Sequence, residues 1–441
     1  MKISVFRRLF NPATLLITMA ALFAAVSGQS FDKIDRDRMK DILKMVKNQV
    51  KDNYYDTNYR GIDIDARFKQ ADERLGQVTS TSQALGVIAQ VLLDFDDSHL
   101  FFIPPPTTLS VEYGWRMQAI GDKVYITEVK PGSDGDKKGL KRGDQIIAIN
   151  KFQPARNDIW KMQYYYNSLS KRDVISLTVL KPGTETPSTL DVKSEMSKTS
   201  ALVTLQDTQQ LYGTYDEENS KHRFLNVGDV TIWKMPTFEF DPEQVGSLMG
   251  KIPAGNSLVL DLRGNGGGYA KTMERLVGYF LDKDVKIADL KGRKKMDPSI
   301  AKSRGKNAFA GKLVVLVDSE SGSAAEIFAR VIQLEGRGKV VGDVSAGAVM
   351  QSIQISQEMG DTSVIPFAIS VTHADMIMSD GKSLEHTGVT PDELVLPSAS
   401  DLAAHRDPTL ARAVQMLGAV ITPEAAGKFF VYSWKKSKSF I

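Results

Sequence analysis

The sequence predicts an α/β protein of several domains: a helical N-terminal region, a strand-rich module and an α/β core. Three observations predict it. Apolar residues recur at helical spacing at Met39, Ile42, Leu43, Val46 and Val50, and again from Ala84 to Leu93. Short strand-like runs separated by glycine turns fill the stretch from about Leu109 to Lys193. Further on, strand-length apolar runs are followed by helical patterns. Leu313-Val314-Val315-Leu316-Val317, for instance, leads through a small-residue turn into an apolar stripe at 324, 327, 328, 331 and 332.

The N-terminus reads as a cleaved leader. Lys2, Arg7 and Arg8 precede an apolar run from Ala13 to Val26 and the small residues Ser27-Gly28. That run is shorter than the ~20 residues a membrane span needs, so residues 1–28 are expected to be removed on export. With no cysteine, the chain has neither a disulfide framework nor a lipid-modified cysteine. A periplasmic destination fits, with an extracellular one left open. The net charge of +3 equals the three basic residues of the leader, so the remainder is near neutral. Nothing in that balance points to nucleic acid. Roughly 410 residues remain after cleavage, too many for one hydrophobic core.

Residues 31–106 form the expected helical region, closed by Pro104-Pro105-Pro106, which cannot continue a helix. The module at 109–193 contains the runs Val124 to Val129 and Gln145 to Asn150, with Pro131-Gly132-Ser133 and Gly139-Leu140-Lys141-Arg142-Gly143-Asp144 between them. The stretch VYITEVKPGSDGDKKGLKRGDQIIAINKF resembles a PDZ domain, which implies a β-barrel-like module with a groove that takes a peptide as an added strand. The resemblance places the carboxylate loop near Tyr113, Gly114 and Trp115, where the residues depart from the usual Gly-Leu-Gly-Phe pattern. A PDZ that only packs against its neighbour is the alternative. After a polar connector from Ser194 to Thr208, the α/β core spans 209–420 and a tail spans 421–441, ending in a basic stretch expected to fray.

Two turns of the core carry chemistry. Asp318-Ser319-Glu320-Ser321-Gly322-Ser323-Ala324-Ala325-Glu326 joins a buried strand to a helix. It leaves Ser323 at a helix N-terminus, beside free N–H groups able to stabilise an oxyanion. The plainer reading is that Ser321 or Ser323 caps the helix, with Glu326 closing a capping box. Arg263-Gly264-Asn265-Gly266-Gly267-Gly268 follows another buried strand. Its glycines permit close approach to a ligand, but its context suits neither a dinucleotide site nor a P-loop.

LVLDLRGNGGG, followed about fifty residues later by VDSESGSAAEIFARVIQLEGRGKVVGD, resembles the C-terminal processing peptidases and their tricorn-core relatives. The resemblance covers roughly residues 35–420 and implies a ClpP/crotonase-like α/β core. It implies Ser323 as nucleophile and an oxyanion hole from the N–H of Ala324 with Gly266 or Gly267. The processing peptidases use a lysine base in a segment that corresponds to Ser345-Ala346-Gly347-Ala348-Val349-Met350, and here the lysine position is Ala348. A serine without a base is a poor nucleophile.

Ser98-His99 resembles the serine–histidine pair of the tricorn-type branch, and the segment Asp380 to Asp392 resembles that branch's glutamate segment, with Glu385 matching. The implied tetrad is Ser323 attacking, His99 as base, and Ser98 with Glu385 orienting the imidazole. His222, His373 and His405 show no metal-ligand spacing, and no metal or other cofactor is expected. The expected partners are peptides or unfolded protein tails brought in through the PDZ groove; a homo-oligomer is left open. Two rivals stand beside this reading. One is a silent relative that keeps the PDZ groove as a binding scaffold. The other is a serine–lysine peptidase whose base comes from elsewhere, such as Lys339 or Lys312.

Overall fold

The computed structural model describes residues 31–198, 219–359 and 365–434, so the expected leader and most of the polar connector lie outside the described residues. Three helices, Lys33–Asn53, Ile64–Leu75 and Thr81–Leu93, open the described residues. Each starts at a side-chain cap, from Asp32, Asp63 and Ser80. Met39, Ile42, Leu43, Val46 and Val50 form the buried stripe of the first helix.

The helical region does not run to the prolines. Phe101–Ile103 is a strand whose three residues are buried. It pairs antiparallel with Ile365–Met378, with Phe101 opposite Ser370. Three consecutive bulky apolar residues suit a strand covered on both faces better than a helix end. That pairing stitches the segment following His99 into the core. The end of the first helix is tied to the same strand by Tyr55 N–H donating to Thr372 O at 2.9 Å.

The strand-rich module is a five-stranded antiparallel sheet, ordered Trp115–Ile120, Lys123–Val129, Gln145–Ile149, Val174–Leu180, Ser188–Lys193. The start of the expected connector also forms structure: Glu195–Lys198 pairs with Leu109–Glu112.

The core has two sheets. One is six-stranded, ordered Glu393–Leu394, Lys339–Gly342, Leu313–Val317, Ser257–Asp261, Val230–Lys234, Arg223–Val227. It is parallel throughout except for the antiparallel Arg223–Val227 edge. Its central strands are near-continuous Val and Leu, as expected where both faces are covered. The second sheet is antiparallel and built on the long strand Ile365–Met378, which pairs Phe101–Ile103, Val285–Gly292 and Met350–Met359. The helix Ala324–Leu334 packs between elements of the core with Phe328 fully buried.

The start of the tail is packed, while residues 435–438 of the basic stretch expected to fray lie outside the described residues. Pro423–Ala426 is a helix, and Phe429 and Phe430 pack on the cluster that holds Leu410 and Val414. Arg116 of the PDZ-like module lies over the ring of Tyr432, 4.9 Å from its centroid.

Candidate active site

Ser323 sits where the strand Leu313–Val317 has ended and the helix Ala324–Leu334 begins. Its backbone is at φ 51°, ψ −117°, in the left-handed half of the map that a residue with a Cβ rarely enters. Such a conformation costs about 1–3 kcal/mol and persists only where its surroundings enforce it. Here they do. Ser323 N–H donates to Ala348 O at 3.0 Å and to Glu326 Oε2 at 2.9 Å.

Ser321 has a different task. Its buried hydroxyl donates to Leu262 O at 2.8 Å and accepts Asp318 N–H at 3.0 Å, tying the turn to the neighbouring strand end.

Glu326 is more than a capping-box residue. Fully buried, it accepts Ser323 N–H, Ser345 Oγ at 2.6 Å, Gly347 N–H at 2.7 Å and Ala348 N–H at 2.9 Å. It therefore fastens the segment 345–348, where the resembled peptidases carry their lysine, onto the serine turn. Burial pushes its carboxyl up to about 7, against the pull of those four donors. The pattern Ser-x-x-Glu was visible in the sequence; the distant half of its partners was not.

The glycine loop lies against the serine. A methyl group on Gly267 would stand 2.7 Å from Ser323 Cβ and 3.1 Å from Ala324 N, and the residue's φ is +106°, so glycine is required there. Gly267 N–H donates to Asn265 Oδ1 at 2.9 Å. Among the described residues, the N–H groups of Gly266 and Ala324 meet no acceptor, so these two are the donors left for an oxyanion. Beneath the loop, Arg263 is forked between Asp261 and Asp407, with 2.8 Å contacts to each. Burial opposes ionisation of Asp261, but Arg263 and Lys234 overcome it and hold the carboxyl well below the ordinary range.

On the other side, His99, Ser98 and Glu385 form one hydrogen-bonded line. Ser98 Oγ donates to Glu385 Oε2 at 2.8 Å and lies 2.8 Å from His99 Nδ1. A hydroxyl has one proton, so with that proton directed at the carboxylate the imidazole donates from Nδ1 and Nε2 keeps its lone pair. Glu385, 8% exposed, also accepts Ser98 N–H and Val349 N–H, each at 2.9 Å. Burial lowers the His99 pKa from 6.5, and nearby Asp97 pulls the other way. Burial raises Glu385, and the charge of Asp97 adds to that rise.

Among the described residues no hydrogen bond joins Ser323 to His99. A peptide group links them: Ala348 C=O accepts Ser323 N–H, and the N–H of the same peptide unit, that of Val349, donates to Glu385.

The lysine rivals are not near. Lys312 precedes the strand Leu313–Val317, and Lys339 pairs with Val314 near that strand's start, whereas Ser323 follows its end. Five residues of strand separate the two ends by about 16 Å. Lys339 is also 64% exposed.

His222, His373 and His405 stay apart. His222 accepts from Trp233 Nε1 at 3.2 Å, His373 lies on the strand Ile365–Met378, and His405 occupies a left-handed break between helices. In the PDZ-like module, Tyr113 OH donates to Tyr166 O at 2.9 Å, Gly114 is at φ +73°, and Trp115 begins an edge strand. A cleft of about 220 Å³ borders Tyr113 and Gly114. This module touches the serine turn directly, through Gln118 Nε2 to Asp318 Oδ2 at 2.6 Å and Ser319 Oγ to Ala119 O.

Residues 227–395 match the model of peptidase family S41, and residues 110–163 match the PDZ domain. Over those residues the core is similar to the S41 serine peptidases. The chain is 28% identical over 274 residues to the carboxy-terminal processing protease CtpB of Bacillus subtilis (strain 168), covering 61% of this chain and 52% of that protein. It is 23% identical over 379 residues to carboxy-terminal processing protease CtpA of the same organism, covering 83% of this chain and 69% of the relative. The chain thus spans about half the length of CtpB and about two thirds of CtpA. The crystal structure of mature CPAF shares the fold, with a TM-score of 0.62 at 14% identity, covering 83% of this chain and 94% of that one. The S41 core with its PDZ partner agrees with the resemblance and fold class expected from the sequence.

Proposed function

We propose that the chain is an exported serine endopeptidase that cuts peptides or unfolded C-terminal protein segments through an acyl-enzyme on Ser323, with His99 as base. The observation that carries this reading is the His99–Ser98–Glu385 line, which leaves Nε2 free to take a proton. His99 Nε2 removes the Ser323 hydroxyl proton as Oγ attacks the scissile carbonyl carbon. The N–H groups of Ala324 and Gly266 hold the oxyanion. The imidazolium then gives the proton to the leaving amine. Water, deprotonated by the same imidazole, releases the second product and restores Ser323. Catalytic hydrogen bonds are often long before substrate binds, so the reading asks His99 to reach Ser323 in the complex.

The names of CtpA and CtpB, carboxy-terminal processing proteases, support C-terminal protein segments as the substrate class. Capture by the PDZ groove would feed them to the core. Export rests on residues 1–28 and is tested by sequencing the N-terminus of the cell-made protein, which should begin near residue 29.

The central test is labelling of the purified protein with a fluorophosphonate probe, beside Ser323→Ala and His99→Ala. Loss in both variants supports the proposal. Loss in Ser323→Ala alone removes His99 as base. No labelling of folded wild-type protein favours a binding scaffold, the reading that Ala348 in the lysine position supports.

A further inference from the structure

Arg60 reaches both loops that carry the histidine side of the site. It lies in the short turn Tyr59–Gly61, where three successive residues have positive φ, at 51°, 53° and 81°. Only the glycine is at ease there. Asp56 holds the turn, accepting Asn58 N–H at 2.9 Å and Arg60 N–H at 2.8 Å.

From this turn Arg60 Nη1 donates to Asp96 O and, at 3.4 Å, to Phe95 O. The same nitrogen is 3.3 Å from His386 Nε2, beside Glu385, and the imidazole must accept because a guanidinium offers no lone pair. Nη2 lies 3.6 Å from Asp97 Oδ2 and 3.5 Å from Tyr55 OH.

Asp97 has no side-chain exposure. It accepts His99 N–H at 3.0 Å, Thr372 Oγ1 at 2.6 Å and Tyr54 OH at 2.9 Å. A buried carboxylate held on the backbone N–H of His99 needs a compensating cation, or it favours the protonated ring.

We propose that Arg60 is a positioning residue for the catalytic histidine, clamping the loop 95–97 to the loop 385–386 and neutralising Asp97 beneath His99. The proposal rests on the reading of His99 as base. Arg60 touches no reacting atom; it acts through Asp97, His99 and the carbonyls of the loop. The charged and titratable groups around this pair are Tyr54 and Tyr55 from the end of the first helix, Asp96 with its partner Lys161, Glu385 and His386 from the opposite loop, and Asp375 from the long strand.

The test is the pH dependence of fluorophosphonate labelling rate in full-length Arg60→Ala, Arg60→Lys and Arg60→Ala/Asp97→Asn, with thermal melts to establish folding. Arg60→Ala should label roughly ten-fold more slowly at neutral pH, as expected for a misplaced base. Its acid limb should move up by about one pH unit, because the uncompensated Asp97 charge stabilises the imidazolium. Arg60→Lys keeps the charge without the fork, so it should hold the limb near the wild-type position while labelling remains slow. The double variant should bring the limb back down.

A folded Arg60→Ala with wild-type rate and pH profile would overturn the proposal. Should Arg60→Ala not fold, Arg60→Lys decides: a wild-type rate there overturns it as well. His99→Ala run alongside separates the two levels, since full labelling without His99 would sink the base assignment whatever Arg60 does.

Discussion

Ser98 Oγ stands between His99 and Glu385, 2.8 Å from the Nδ1 of the one and 2.8 Å from Oε2 of the other. The imidazole is thereby oriented through a hydroxyl and not by direct contact with a carboxylate. Glu385 is free to brace a second segment as well, through Val349 N–H. Ser98→Ala removes the acceptor of His99 Nδ1 and one of three donors to Glu385. Labelling and turnover should fall about ten- to a hundred-fold, with KM little changed. That is less than the ~10²–10⁴-fold that a general base supplies, which His99→Ala should lose. Steady-state kinetics on a peptide substrate check this; equal losses in both variants would mean that Ser98 does more than orient.

The pH profile follows from the surroundings of His99. Burial depresses its pKa below 6.5, although Asp97 opposes the shift. The base must be neutral, so activity is retained through neutral pH and lost only as pH falls through that lowered value. The acid limb of kcat/KM should lie below 6.5, and Asp97→Asn, which removes a charge favouring the imidazolium, should move it lower still. A limb above 6.5 in the wild type would contradict the burial argument.

Glu326→Gln tests the fastening of the serine turn. The amide keeps the shape but replaces one acceptor oxygen with a donor, facing N–H and O–H groups that already donate. Each donor stranded in the interior costs about 1–3 kcal/mol. The melting temperature should drop, and labelling of the folded fraction should fall, because the strained Ser323 backbone loses a restraint. Differential scanning calorimetry with labelling at a temperature below the transition measures both.

Gly267→Ala sets a methyl group 2.7 Å from Ser323 Cβ and 3.0 Å from Gly322 O at a left-handed position. Nearly complete loss of labelling is expected, with destabilisation of about 1–3 kcal/mol from backbone strain. Wild-type labelling in this variant would show that the glycine loop is not seated against the nucleophile.

Lys312→Ala and Lys339→Ala should leave labelling unchanged, since both lysines lie at the strand end remote from Ser323. A large loss in either folded variant would restore the serine–lysine reading.

Much of this was legible in the chain alone because it is local. Helical spacing from Met39 to Val50, the strand–turn–helix around Ser323 and the glycine loop after Leu262 each declare themselves within a dozen residues. Phe101–Ile103 was harder. Three residues carry no period, and only pairing with Ser370, Ile369 and Ala368 makes them a strand. Ser98-His99 and Glu385, 286 residues apart, are joined in the sequence only by resemblance.

The chain alone carries the order of elements, the strand–turn–helix around Ser323 and the absence of a lysine at 348. Which groups meet depends on the folded chain. Arg60 bridges the loop before His99 to His386, Glu326 binds the 345–348 segment, and the peptide group at Ala348–Val349 ties Ser323 to Glu385. Those partners lie tens to hundreds of residues apart, and hydrogen bonds reach about 3 Å, so no periodicity along the chain encodes them.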